Sequence, residues 1–243
     1  MDALIYTAMS GAERAMTGQQ VHANNLANME TPGFRASLEL STAQPVPGYG
    51  YDDRHMSQLQ ANAISTRSGT LTTTGRNLDV AISGDGFIAV DSPTGEAYTR
   101  AGSMVLDADG TLMLNGNPVL GDGGPITLPI NAAIQVGEDG TVSILSPGTA
   151  TTAMQPIGKI KLVKAEASEM TKNEEGLLVA RNGQPLPADP TVQLKSGALE
   201  GSNVSAVEEM IATMSLNRSF EVQMKLFTAS DTMTQDGNKL ISG

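Results

Sequence analysis

The sequence has no cysteine and no tryptophan, and only four tyrosines and four phenylalanines among 243 residues. Without cysteine there are no disulfides and no thiolate metal ligands, whichever compartment the chain occupies. Aromatics at 3% leave few flat faces on which sugars or bases could stack. Positive charge is scarce too. Fifteen Lys and Arg stand against 26 Asp and Glu, a formal net charge of -11, so nucleic-acid phosphates would be repelled and no nucleic-acid partner is expected. No run approaches the roughly 20 apolar residues needed to span a bilayer, so the chain is not read as membrane-embedded. Its start carries Asp2, Glu13 and Arg14 rather than a basic stretch followed by an apolar one, and no cleavable signal peptide is expected.

Motifs of small-molecule chemistry are equally thin. Gly84-Asp85-Gly86-Phe87-Ile88-Ala89 has the spacing of a dinucleotide fingerprint, but that loop works only where it opens a helix. Here Phe87-Ile88-Ala89-Val90 reads as a strand, which makes the glycines a turn. Asp107-Ala108-Asp109-Gly110 is half of a calcium loop without the third acidic position or the distant glutamate, and a hairpin turn explains it better. Lys159, Lys161 and Lys164 fit the wet face of a strand. His22 and His55 stand apart from each other and from any ligand pattern. No catalytic residue, cofactor or metal site is expected, and the chain does not read as an enzyme.

What the sequence does carry is helical periodicity at both ends. Ile5, Met9, Ala12, Met16, Gln19, Ala23 and Leu26 recur at alternating steps of four and three, a heptad seam. The seam is rich in small residues, and Ala8, Gly11, Ala12, Ala15 and Gly18 would let another helix approach closely. Gly11 and Gly18 each cost a helix about 1 kcal/mol relative to alanine, so this helix needs a partner. At the other end, Ser205 with Glu208 forms a capping box before a long helix running to Ile241. Val207, Met210, Ile211, Met214, Phe220, Met224 and Phe227 form its apolar stripe. These two stripes are the expected assembly seams.

Between the helices the texture changes twice. Residues 34–75 and 190–202 are rich in Pro, Gly and small polar residues without sustained periodicity, and read as extended arms. Residues 76–189 hold short apolar runs punctuated by Asp109-Gly110, Asn115-Gly116, Asp139-Gly140 and Asn182-Gly183, dipeptides suited to tight hairpins. Strands are expected at 78–82, 87–90, 104–106, 111–114, 134–136, 141–145, 157–163, 177–180 and 192–194. The expected fold is α+β. A β-rich middle domain is joined by arms to a discontinuous domain in which residues 1–33 and 203–243 pair as coiled-coil-like helices.

The segment Asn24-Asn25-Leu26-Ala27-Asn28, with Thr31 and Gly33-Phe34, resembles the N-terminal signature of the flagellar rod and hook proteins. Leu199-Glu200-Gly201-Ser202-Asn203-Val204, with Arg218-Ser219-Phe220-Glu221, resembles their C-terminal signature. Leu78-Asp79-Val80-Ala81-Ile82 and Tyr98-Thr99-Arg100-Ala101-Gly102 are similar to their β domain, so the resemblance covers nearly the whole chain. It implies a structural axial subunit of the flagellar basal body, carried by the type III export apparatus and assembling with copies of itself and other rod proteins. The opening Met1-Asp2-Ala3-Leu4-Ile5-Tyr6-Thr7-Ala8-Met9 is most similar to the proximal-rod members. A distal rod or hook-type protein is the near alternative, and an exported β protein binding a ligand or calcium the remote one.

Overall fold

A computed structural model describes residues 2–45, 55–129, 133–145 and 154–242. The chain divides into two compact units. The first combines residues 1–27, 37–63 and 205–243; the second combines 28–36 and 64–204.

In the first unit, helix α1 (Asp2–Ala27) and helix α2 (Ala206–Ser242) lie side by side, and strands β1 (Ser37–Pro45) and β2 (His55–Ile64) form a two-stranded sheet. The helices are antiparallel: Gly11 faces Gln223, Gly18 faces Leu216, and Asn25 reaches Glu209. Ser205 ends the preceding extended chain, its hydroxyl accepting the Glu208 N–H at 3.5 Å. Within the segment 34–75, read as an extended arm, β1 and β2 pair with each other. Leu38 and Leu40 alternate at the start of β1, but the rest of both runs is mostly small or polar, so no period-two pattern is sustained. Residues 46–54 of that arm lie outside the described residues.

The second unit is all β apart from one short 3-10 turn among its described residues. Strands β3 (Leu71–Thr73), β4 (Val80–Ser83), β5 (Phe87–Ser92) and β6 (Gly95–Thr99) come first along the chain. A five-stranded antiparallel sheet has the order Leu162–Val163, β5, β6, Leu178–Ala180, Met170–Lys172. Two further three-stranded sheets contain Met104–Leu106 with Leu112–Leu114, and Ala133–Val136 with Thr141–Leu145 and Gln155–Lys159. β4 pairs with Gln193–Ser196 and β3 with Ala198–Glu200. The second expected arm, 190–202, is therefore built into sheets as well. The strand expected at 192–194 is found at Gln193–Ser196, and Ala198–Glu200 adds another just beyond Gly197.

The core explains why these strands stay together. Val80, Ile82, Ile88, Val90, Met104, Leu112, Leu114, Val119, Val142 and Ile160 are buried in one cluster. Phe87, Ala89, Tyr98, Val163 and Met170 form a second on the opposite side of β5. Successive β5 residues thus enter different clusters, as a strand buried on both faces must. The expected single run 157–163 is broken between two sheets, at Lys159 and Leu162. Asn115 and Gly116 both take positive φ, 50° and 84°, and make the tight turn that their dipeptide predicts.

One close approach is decisive in this unit. Gly102 accepts the Val80 N–H at 3.0 Å, and a Cβ on Gly102 would lie 1.6 Å from the Val80 carbonyl oxygen. Gly102→Ala must push these backbones apart, and we expect about 2 kcal/mol or more of lost stability, a fall in Tm of about 4–8 °C. Gly123 has open space around it. Gly123→Ala should melt within about 2 °C of the parent, and circular-dichroism melts of the two variants make the comparison.

Candidate assembly surface and the motif residues

The signature residues sort into two sets of contacts, one inside each unit. In the β unit, Glu200 is buried and its carboxylate is the hub. Oε1 accepts from Arg35 at 2.8 Å and from the Gly69 N–H at 2.8 Å, and Oε2 accepts from Arg100 at 3.1 Å. Arg100 spends its remaining donors on the carbonyls of Gly84 and Gly86, both at 2.7 Å, and lies over the Phe87 ring. The glycine turn that has dinucleotide-like spacing therefore serves as a carbonyl cradle for an arginine. Arg35 also donates to the Arg67 carbonyl. Burial, reinforced by the Arg100 charge, pushes the Arg35 pKa down to about 10 against the pull of Glu200. At neutral pH it remains charged.

The rest of the β-unit motif is backbone clamping. Gly33 donates its N–H to the Glu200 carbonyl at 2.8 Å with φ of 71°, and a Cβ there would lie 2.1 Å from the Ala101 nitrogen. Asn203 accepts the Ala36 N–H at 2.7 Å and donates to the carbonyls of Arg67 and Ser65, while its own N–H reaches the Phe34 carbonyl. Lys172 stands 3.9 Å from the Phe34 ring centre and donates to the Arg35 carbonyl; burial lowers its pKa to about 8. Thr31 caps Asn28 through both backbone and side chain. Leu199 pairs with Thr72 in the β3 ladder, and Ser202 accepts the Val204 N–H.

In the helical unit, Asn25 is buried and grips the Ser37 backbone twice, donating to its carbonyl and accepting its N–H, both at 2.9 Å. It also donates to Glu209, which takes a second short bond from His22. Glu39 on β1 passes over Gly18, pairs with Arg14 at 2.9 Å and lies 3.8 Å from His22. This cluster was not visible in the sequence as a site, because it draws on three segments of unlike periodicity. Asn24, Ala27 and Ala23 are exposed, and Leu26 is half-buried.

The apolar stripes are not what closes the helix pair. The α1 side of the contact is Ala8, Gly11, Ala15, Gly18, His22 and Asn25, a 3-4 pattern offset by one residue from the apolar seam. Small residues let the helix axes come close, so the methionines beside them are turned outward. Met9 and Met16 are 60% and 53% exposed, and Met214 is 61% exposed. Val207, Met210, Ile211, Met224 and Phe227 are exposed as well; Ile5, Ala12 and Phe220 are half-buried. Tyr6, Val222, Leu226 and Met233 add to this outward apolar surface. No helix is long and apolar enough to cross a membrane.

Three family patterns match along the chain: flagella basal body rod protein at residues 5–35, flagellar hook protein FlgE/F/G D1 domain at 81–144, and flagellar basal body rod FlgEFG protein C-terminal at 195–240. The flagellar basal-body rod protein FlgF of Salmonella typhimurium (strain LT2) is 41% identical over 249 residues, covering 100% of this chain and 99% of the relative. FlgF of Escherichia coli (strain K12) is similar to the same degree and over the same shares. The flagellar basal-body rod protein FlgG of Bacillus subtilis (strain 168) is 32% identical, covering 96% of each chain.

Breaking the buried hub should be costly because two guanidinium groups lose their partner. Glu200→Ala is expected to destabilise the β unit by about 3–5 kcal/mol in urea denaturation. Glu200→Gln, which can still accept from Gly69, should cost clearly less.

Proposed function

The chain belongs to the family of flagellar basal-body rod protein FlgF, and from that premise we propose that its outward apolar helical faces are the surfaces by which it joins the rod. It is a structural subunit of the flagellar rod, located in the basal body. The 41% identity to FlgF of Salmonella typhimurium and of Escherichia coli, against 32% to FlgG of Bacillus subtilis, favours the proximal-rod role over the neighbouring axial positions. Its partners are other copies of itself and other rod proteins, and it reaches them through the flagellar type III export apparatus.

The observation that carries this reading is the exposure of apolar residues that recur at helical spacing on both terminal helices. Ile5, Met9, Ala12, Met16, Ala23 and Leu26 form one assembly seam; Val207, Met210, Ile211, Met214, Phe220, Met224 and Phe227 form the other. Burying one such large side chain contributes about 1.5–3 kcal/mol, so a few per copy suffice to hold a subunit in a lattice. Contacts of this heterologous kind do not close on themselves, and they generate a helical shaft. The Asn24–Asn28, Thr31, Gly33-Phe34 and Leu199–Val204 signatures serve to shape each unit before assembly.

Met16→Asp and Met224→Asp test this directly. Each places a carboxylate at a position exposed in the single chain, so the isolated protein should melt within about 0.5 kcal/mol of the parent. In the rod the same charge loses apolar contact and is stranded without a partner, at a cost of several kcal/mol per copy. Swimming and incorporation into the rod should fail, while Lys239→Asp, at an exposed charged position, should be far milder. Normal motility in both methionine variants would refute the assignment of the seams.

A further inference from the structure

The contact between α1 and α2 repeats every seven residues on both helices. Gly11, Gly18 and Asn25 meet Gln223, Leu216 and Glu209 in turn, and the next α2 position in that series, Ser230, is buried. Ala8 and Ala15 repeat the same step. A slip by one heptad, about 10.5 Å along the axis, would therefore bring the α1 glycines opposite other members of the same α2 series. In one direction Gly11 would face Leu216 and Gly18 would face Glu209. In the other, Gly11 would face Ser230 and Gly18 would face Gln223. The apolar and small part of the seam cannot tell these arrangements apart.

We infer that the partly buried polar cluster of His22, Asn25, Glu209 and Glu39 is a register lock that selects one pairing of α1 with α2. Only in the observed register does Glu209 receive both His22 and the Asn25 amide. After a slip one way Asn25 lies opposite Leu216; after a slip the other way it passes the start of α2. In both cases the buried Asn25 amide loses Glu209 and the half-buried Glu209 carboxylate loses both of its donors, which is how a single polar layer specifies register in paired helices. β1 secures the lock from a third side. Asn25 holds the Ser37 backbone, and Glu39, itself paired with Arg14, faces His22. His22, Asn25, Glu209 and Glu39 thus act as positioning residues. On the assembly reading above, the register decides which parts of the two methionine-bearing faces stand side by side on the subunit surface. The lock itself is a property of the free chain and is tested there.

Absence of native cysteine makes the test clean. Gly11→Cys is combined in turn with Gln223→Cys, Leu216→Cys and Ser230→Cys in the full-length protein. A Cβ at position 11 meets only the flexible end of Gln223. Disulfides require close Cα atoms, so the parent should join 11 to 223 at least about tenfold faster than 11 to 216 or 230. In the background His22→Leu, Asn25→Leu, Glu209→Leu, the bond to 216 or 230 should rise to within about threefold of that to 223, with helix content retained. Glu209→Gln alone, which keeps an acceptor for Asn25, should leave the parental pattern in place. Should the triple-leucine chain lose its helices, His22→Ala with Glu209→Ala is read in the same way. A helical variant that still joins only 11 to 223 overturns the inference. Failure of rod assembly with a correct crosslink pattern would instead fault the assembly reading and leave the lock standing.

Discussion

A carboxylate with almost no exposure to water, held between two arginines, is the constraint on which the β unit depends. Glu200 cannot be buried charged unless both of its oxygens are occupied, and Arg35, Arg100 and the Gly69 N–H occupy them. Those partners come from residues 33–36, 69 and 100, so segments far apart in sequence are brought to one point. Arg100 in turn needs the two carbonyls of the Gly84–Gly86 turn. Gly33 must be glycine because the chain passes within a bond length or two of Ala101. The signature residues of this unit thus form one connected set rather than separate markers.

The helical unit is organised by a different division of labour. Small residues on α1 close the helix pair, a polar cluster sits at one end of the contact, and the large apolar residues face outward. A free-standing helical hairpin would bury its methionines and leave its alanines in water. The reverse arrangement leaves apolar surface exposed on the helical unit, which on the proposed reading is what a neighbouring subunit covers.

Much of this was legible in the sequence, for stated reasons. The terminal helices follow from seven-residue periodicity, and the all-β middle from short apolar runs separated by Asn-Gly and Asp-Gly turns. Strands such as 104–106 and 141–145 fall where the runs place them. What could not be read is which of two adjacent seams closes the helix pair. Met9 and Ala8 are one residue apart, and periodicity alone cannot say whether bulk or close approach wins. The pairing of β1 with β2, and of β3 with Ala198–Glu200, was hidden because these ladders are backbone bonds between runs with few large apolar residues. Glu200 and Arg100 carry no local signal of their partnership, since a buried ion pair depends on distance in space and not on spacing in sequence.

The central claim is that the methionines of the terminal helices are exposed in the free subunit and covered in the rod, while those of the β core are covered in both. Peroxide oxidation read by mass spectrometry measures this for each methionine separately. The account predicts fast oxidation of Met9, Met16 and Met214 in the free chain, strong protection of the same three in isolated basal bodies, and slow oxidation of Met104 and Met170 in either state. Equal oxidation of Met9, Met16 and Met214 in the free and assembled protein would contradict it.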